Sequence, residues 1–328
     1  MKSTNSSCRT RAFPSRSKSR LRNLALISAL ALSPSLYSLD PNQPSRAAIV
    51  AAAARAVASH DPDPFTRNPD WLAAPFLSLS ELALIFSHPI NRAVDQDPRI
   101  SMLDPDNLAL IKLADVRTRF IDDRLQLAAQ DGFSEIVIIG AGLDTRPYRF
   151  RQLLEKTKVF EVDTPGTQAM KKRRVLAIFG ALPPNVTYTG DLPRLTGKTF
   201  FIWEGGAMHQ TEARAREILR TVAQAPSGSR LVMDFVGKDA LDRARRDPAS
   251  PQERFDAAWG EPWLFGVPEQ PGPAAFFQEL GFEIVELLPA DSPTAARRYL
   301  THRDQTVVGQ GIETDDRVPV TLAELRVK

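Results

Sequence analysis

Two glycines flank one alanine at Gly140-Ala141-Gly142, directly after the apolar run Ile136–Ile139, and the acid Asp163 closes the next apolar run, KVFEVD. A buried strand that ends in such a turn brings bare backbone against a ligand, because glycine tolerates positive φ and has no Cβ to hold the ligand away. At the end of the following strand, Asp163 stands where its carboxylate could accept hydrogen bonds from both hydroxyls of a ribose. An adenosine-containing cofactor is therefore expected. Acids follow four consecutive strand-loop units, at Asp144, Asp163, Asp191 and Glu204. They should line the edge of the sheet where ligands of open α/β folds bind. An acidic rim suits a cationic sulfonium cofactor better than an anionic pyrophosphate, which wants a basic or N–H-rich cradle. The Gly-x-Gly-x-x-Gly pattern of a dinucleotide site is incomplete, since Thr145 takes the third glycine position. Glu204 follows an apolar, aromatic strand, where an unpaired carboxylate would be costly. Just beyond it, His209 is a candidate general base, with a packing or capping role as the competing reading.

The elements that must position these residues alternate between short apolar runs and amphipathic stretches, the sign of a largely parallel, doubly wound sheet. Strands are expected at Ile136–Ile139, Lys158–Val162, Val186–Tyr188, Phe200–Trp203, Leu231–Phe235 and Phe282–Leu288, with a last one at Leu322–Val327. Helices are expected near Tyr148–Glu155, Thr167–Phe179, Thr211–Gln224 and Ala274–Leu280, with Thr211 as an N-cap. Ahead of the first strand, RAAIVAAAARAVAS and Leu108–Ala129 read as helices, and short helical segments fall around Ala73–Phe86. The Pro-, Trp- and Phe-rich stretch Lys238–Pro273 reads as an insertion over the active face, with Trp259, Trp263 and Phe265 forming either a substrate lid or a cap core.

Composition narrows the class. At 328 residues, 43% hydrophobic and 25% charged, the chain can bury the core of one large α/β domain or two small ones. Residues 1–39 hold seven Lys/Arg and no acid, more than the whole net charge of +3, so the remainder carries about −4. The basic balance thus belongs to the leader and is no nucleic-acid footprint. The leader's apolar stretch Leu24–Leu32 is too short to span a bilayer. It reads as a signal-like segment, an organelle transit peptide or a disordered extension from a misplaced start, and a cofactor made in the cytosol favours a cytoplasmic protein. Cys8 is the single cysteine, and the four histidines show no metal-ligand spacing, so neither a disulfide nor a metal site is expected. No Gly-x-Ser-x-Gly elbow is present, which argues against a serine hydrolase.

Taken together, VRTRFIDD at Val116–Asp123, IGAGLDTRPYR at Ile139–Arg149, FEVDTP at Phe160–Pro165, FIWEGGAM at Phe201–Met208 and the tail GFEIVELLPADSPTAARRYL resemble the leucine carboxyl methyltransferase-like S-adenosylmethionine-dependent methyltransferases, above all their bacterial O-methyltransferase branch. The resemblance implies a Rossmann-like class I methyltransferase fold: a mostly parallel seven-stranded sheet with helices on both faces. It divides the chain into a leader, 1–44, and a methyltransferase domain, 45–328, with a helical cap over 45–130 and a lid insertion over 238–273. Position by position, it implies that Gly140 and Gly142 approach the methionine part of S-adenosylmethionine and Asp163 holds the ribose. Asp191 and Leu192 would meet the adenine, Arg117 and more loosely Arg55 the cofactor carboxylate, and Glu204 the methionine end. Surface pairing of Arg117 with Asp122 or Asp123 is the competing reading. The segment between Asp191 and Phe200 is shorter than the family's, and Met208-His209-Gln210 replaces its usual Met-Tyr-Leu. The expected activity is O-methylation of a small-molecule hydroxyl or carboxyl, with no nucleic-acid partner, no membrane insertion and the oligomeric state open. The alternatives are an NAD-dependent oxidoreductase and a catalytically silent cofactor- or partner-binding module.

Overall fold

The computed structural model describes residues 41–78, 81, 105–310 and 318–328. The basic leader lies outside this set up to residue 40, as does most of the Ala73–Phe86 expectation beyond residue 78. Residues 71–76 form turns.

Seven strands form one sheet: β1 (Glu135–Ile139), β2 (Lys158–Val162), β3 (Val186–Thr189), β4 (Thr199–Trp203), β5 (Arg230–Val236), β6 (Phe282–Pro289) and β7 (Val320–Val327). Their spatial order is β3-β2-β1-β4-β5-β7-β6. Neighbouring strands from β3 through β5 run parallel, while β7 is antiparallel to both β5 and β6. This is the mostly parallel, Rossmann-like seven-stranded sheet that the resemblance implied. All seven expected strands are present within two residues of their expected bounds.

Alternation along the central strands sorts the core onto two faces, because successive β side chains point to opposite sides. Val137 and Ile139 of β1 pack with Leu231, Met233 and Phe235 against α5 (Glu212–Val222) and α8 (Pro273–Glu279). Ile136 and Ile138 face the other way, onto Val116, Phe120, Ile121 and Leu125 of α2 (Pro105–Gln130) and Tyr299 of α9 (Pro293–Tyr299). Both layers are therefore filled, and β1 and β4 are buried along their whole length. Such strands read as continuous apolar runs.

Ahead of the sheet, α1 (Arg46–Ala58) is alanine-rich, a composition that favours helix and lets the helix lie close on its neighbours. Ser45 is its N-cap, accepting from the Ala48 N–H at 3.2 Å. α4 (Pro165–Phe179) starts on a proline at its first position and stops at Gly180 in the left-handed region.

Two expectations need correction. The helix at Tyr148–Glu155 is only α3 (Arg146–Arg149), followed by turns through residue 156. The Asn185 amide donates to the carbonyls of Leu154 and Thr157 at 2.9 and 3.1 Å, in the connection between α3 and β2. Within the stretch Lys238–Pro273, read as an insertion, no helix was expected, and it holds α6 (Lys238–Arg246) and α7 (Pro251–Trp259). α9 likewise went unread within the chain's tail. No helix among the described residues is long and apolar enough to cross a membrane.

Candidate functional site

At the carboxyl ends of β1, β2 and β4 lies a cavity of about 280 Å³. Its floor is the turn Gly140–Asp144 with Asp163, Glu204 and Gly205 beside it. Arg55 of α1 and Arg117 of α2 enter from one side, and His209 with residues 261, 262 and 264 of the insertion close the other. Across the top runs the segment Pro41–Ser45, held down where Pro41 O accepts from the Gly166 N–H at 2.9 Å and the Ser45 N–H donates to Thr167 Oγ1 at 3.1 Å. A Cβ on Gly166 would collide with the Asn42 backbone, so this strap needs a residue without a side chain beneath it.

The two turn glycines differ in what they serve. Both have positive φ, +63° at Gly140 and +42° at Gly142. A Cβ on Gly140 would meet open space, whereas one on Gly142 would stand 2.9 Å from Ala48 Cβ of α1. Gly142 thus lets the N-terminal helix dock against the turn. Its N–H donates to Asp163 Oδ2 at 2.6 Å, and the Thr164 N–H donates to Asp163 Oδ1 at 2.6 Å. Each carboxylate oxygen keeps a second lone pair for another donor. Burial raises the Asp163 pKa, while these two amides and Lys171 pull it back down.

Beneath the turn, Lys171 of α4 and Glu161 of β2 form a fully buried ion pair at 2.8 Å. Lys171 Nζ also donates to Ala141 O at 3.2 Å, and Tyr148 donates to Glu161 at 3.2 Å. Burial pushes Glu161 up to about 7 despite its lysine.

Glu204 is the hub of a second buried network. Arg146 Nη1 lies 2.6 Å from its Oε2, Arg117 Nε 3.1 Å from its Oε1, and Arg55 Nη1 3.7 Å from the same oxygen. Arg117 also pairs with Asp234 at 3.0 Å, Arg146 with Asp122 and Asp144, and Arg55 and Arg149 with Asp70. Burial by itself would raise the Glu204 pKa, but Arg146, Arg117 and Arg55 outweigh it and hold the carboxyl well below the usual range. Four arginines here face five carboxylates, so the network keeps one negative charge in excess.

Of the acids expected along this edge, Asp144 and Glu204 are ion-paired and Asp163 is tied to two amides. The surface pairing weighed for Arg117 is absent too, its partners being Glu204 and Asp234. Arg55, Arg117, Gly140, Gly142, Asp163, Glu204 and His209 all line the cavity. Asp191 and Leu192 do not; Asp191 is exposed in the turn after β3, and Leu192 packs against the core. Sequence reasoning assigned no role to Arg146, Asp234, Glu161, Lys171 or Glu261, and weighed Asp122 only as a surface partner of Arg117. A signal existed for two of them, since Glu161 and Asp234 are acids inside apolar strands, where an ionised group requires a partner.

Three buried polar atoms around the cavity lack a directed hydrogen bond: Arg117 Nε, Glu204 Oε1 and His209 Nδ1. Arg117 Nε and Glu204 Oε1 attract each other at 3.1 Å without hydrogen-bond alignment. Burial lowers the His209 pKa, with Glu261 and backbone carbonyls opposing, which favours the neutral ring. His209 meets Trp263 edge to face at 6.4 Å, while Leu264 and Phe265 donate their N–H groups to Met208 O. Glu261 accepts from Ser45 Oγ at 2.9 Å and from the Arg46 N–H, so the insertion caps the helix that forms the opposite wall. The insertion is thereby a wall of the cavity. Trp263 does not line it, packing instead beside Met208, Val236 and Val320, while Phe265 belongs to the sheet core. Among the described residues no group of three His, Cys, Asp or Glu could hold a metal ion.

Residues 48–193 match the family model described as leucine carboxyl methyltransferase, which bears out the resemblance over that stretch. The match takes in both glycines, Arg55, Arg117, Asp163, Asp191 and Leu192, and ends before Glu204 and His209. A protein of Mycolicibacterium gilvum named "Putative S-adenosyl-L-methionine-dependent methyltransferase" is 37% identical over 149 residues, 42% of this chain and 43% of that protein. One of the same designation from Parafrankia is 29% identical over 233 residues, covering 65% and 70% of the two chains. The chain spans about two fifths of the length of the first curated relatives it matches. Among solved structures, magnesium protoporphyrin IX methyltransferase from Synechocystis with bound SAH aligns at 14% identity with a TM-score of 0.42, over 67% of this chain and 87% of that one.

Proposed function

We propose that this chain is an S-adenosylmethionine-dependent methyltransferase that O-methylates a small-molecule hydroxyl or carboxyl group. The observation that carries the reading is the cavity over Gly140–Gly142, where Asp163, the Arg117–Glu204 pair and His209 converge. Its donor set fits the cofactor. Two fixed carboxylate oxygens on Asp163 suit a ribose diol, and Arg117 Nε and Glu204 Oε1, each without a directed hydrogen bond, suit an α-carboxylate and an α-ammonium. The excess negative charge of the arginine–carboxylate network favours a ligand whose net charge is positive. Bound there, the cofactor supplies an electrophilic methyl group on a sulfonium.

The chain's own work is then chiefly positional, because an in-line displacement needs the acceptor oxygen close to the methyl carbon and collinear with it. The strap and the insertion exclude water from two sides, and Glu261 ties them together. His209 at the cavity edge, its neutral form favoured by burial, can take the proton of an acceptor hydroxyl. A carboxylate acceptor, already ionised at neutral pH, needs no such base.

Calorimetric titration of the full chain with S-adenosylmethionine and S-adenosylhomocysteine tests the reading. Micromolar affinity, about 8 kcal/mol, is expected, with loss in Asp163→Ala. A folded protein that binds neither compound would sink it, and binding of NAD instead would establish the oxidoreductase alternative.

A further inference from the structure

Behind the cofactor cavity, the same two helices α1 and α2 form a second cavity of about 280 Å³ with the loop at residues 302–306. Its lining includes Asp61, Asp63, Asp115 and Asp304, with His302 and Thr306, and neither a lysine nor an arginine. Asp61 and Asp115 form the buried floor, 6% and 1% exposed, and Asp63 and Asp304 stand at the mouth.

Most of these groups have local partners. Asp61 accepts from Thr66 Oγ1 at 2.7 Å and from the Asp63 N–H at 2.9 Å, and Asp63 accepts from the N–H of Phe65 and of Arg303. Asp304 accepts from the Thr306 N–H and hydroxyl. His302 Nδ1 lies 2.9 Å from Thr66 Oγ1 and 3.6 Å from Asp63. Asp115 is the exception: it lines the cavity, and its buried Oδ1 has no hydrogen-bond partner. Burial raises its pKa well above the carboxylate range, and Asn68 and Arg119 only partly oppose the shift. An acid desolvated in that way costs stability unless something pairs with it.

We propose that this cavity binds a small organic cation, a di- or polyamine, with one ammonium group on Asp115 and Asp61 at the floor and another on Asp63 and Asp304 at the mouth. The observations favour an amine over a metal because no three of these acids converge closely enough to chelate an ion. Ammonium groups separated by a flexible chain can instead reach carboxylates at two depths. An ammonium donates three hydrogen bonds and accepts none, which matches a lining of acceptors. The volume, below that of drug-sized sites, suits a short chain. The site is independent of the methyl-transfer reading, as none of its acids lines the cofactor cavity.

Calorimetric titration of the full chain with spermidine, putrescine, magnesium chloride and the uncharged 1,4-butanediol tests the proposal. Saturable 1:1 binding of at least one amine and none of the diol is expected. Asp115→Asn should weaken it roughly tenfold or more, and Glu217→Gln on the distant α5 should leave it unchanged. If Asp115→Asn fails to fold, Asp304→Asn at the exposed mouth should still lower the affinity severalfold. Absent amine binding, equal binding by the Asp115 and Asp304 variants, or magnesium bound in preference to both amines would overturn the proposal.

Discussion

Gly140 and Gly142 look interchangeable in the sequence, yet the structure predicts unequal costs for replacing them by alanine. At Gly140 the penalty is conformational, about 1–2 kcal/mol for holding a non-glycine residue in the left-handed region, because the new methyl group meets open space. At Gly142 the same penalty applies at φ +42°, and the methyl group also lands 2.9 Å from Ala48 Cβ. Carbon atoms prefer about 3.5–4.0 Å, so either α1 backs away or the turn distorts, and overpacking of this kind costs about 1–3 kcal/mol. Gly142→Ala should therefore destabilise by about 2–5 kcal/mol. The steric part is separable. Ala48→Gly removes the opposing methyl at a cost of at most about 1 kcal/mol in helix propensity, and the double variant should recover about 1–3 kcal/mol relative to the sum of the two singles. Urea unfolding of the four proteins in the Gly142–Ala48 cycle, with Gly140→Ala alongside, measures this directly. A coupling near zero, or equal losses at the two glycines, would refute the claim that Gly142 exists to admit α1. Cofactor titration of the same set should show the larger loss in Gly142→Ala, since a displaced α1 carries Arg55 and the strap away with it.

Lys171→Met leaves Glu161 buried without its counter-ion and should cost about 3–5 kcal/mol, with Glu161→Leu restoring much of it in the double variant; urea midpoints decide, and an unchanged midpoint in Lys171→Met would deny the pair its role under the turn. Asp256 supplies a pH signature. Burial pushes it up to about 6 from an ordinary 3.8, against the Trp263 N–H and Gln252 that it accepts from. A carboxyl whose pKa is raised on folding stabilises the protein fully below the unfolded value, and that contribution is lost as pH rises through the folded one. Thermal stability should thus lose an increment between about pH 4 and 6 that Asp256→Asn abolishes, and an identical pH profile in the variant would contradict the assignment.

Strand positions were legible because a sheet covered on both faces demands continuous β-branched and aromatic runs, and EIVII, KVFEV, TFFIW and RLVMDFV supply them. The turn at Gly140–Gly142 and the place of Asp163 were legible for a related reason, since both sit at fixed offsets from a strand end. Short helices were harder. α6, α7 and α9 contain seven to nine residues each, too few turns for a period to emerge. The expected helix after Tyr148 also fell short, giving way to turns from residue 150.

Charge was where the tertiary structure had the last word. Spacing placed Asp144 and Glu204 at the ends of strands as part of an acidic rim without naming their partners, because a sequence shows where carboxylates lie but not which cations fold against them. Arg55 and Arg117, on helices far earlier in the chain, and Arg146 within the motif itself pair with those acids and leave only one negative charge in excess, and only the packing of α1 and α2 over the turn brings the two helical arginines there. The same holds for Glu261, which joins the insertion to the cap of α1 across more than two hundred residues. Periodicity and glycine chemistry are local, so the sequence by itself determined the sheet, the turn and the kind of ligand to look for. Coulomb partners in a buried site are set by proximity in space, so which acids stay available and which are ion-paired was decided by the fold alone.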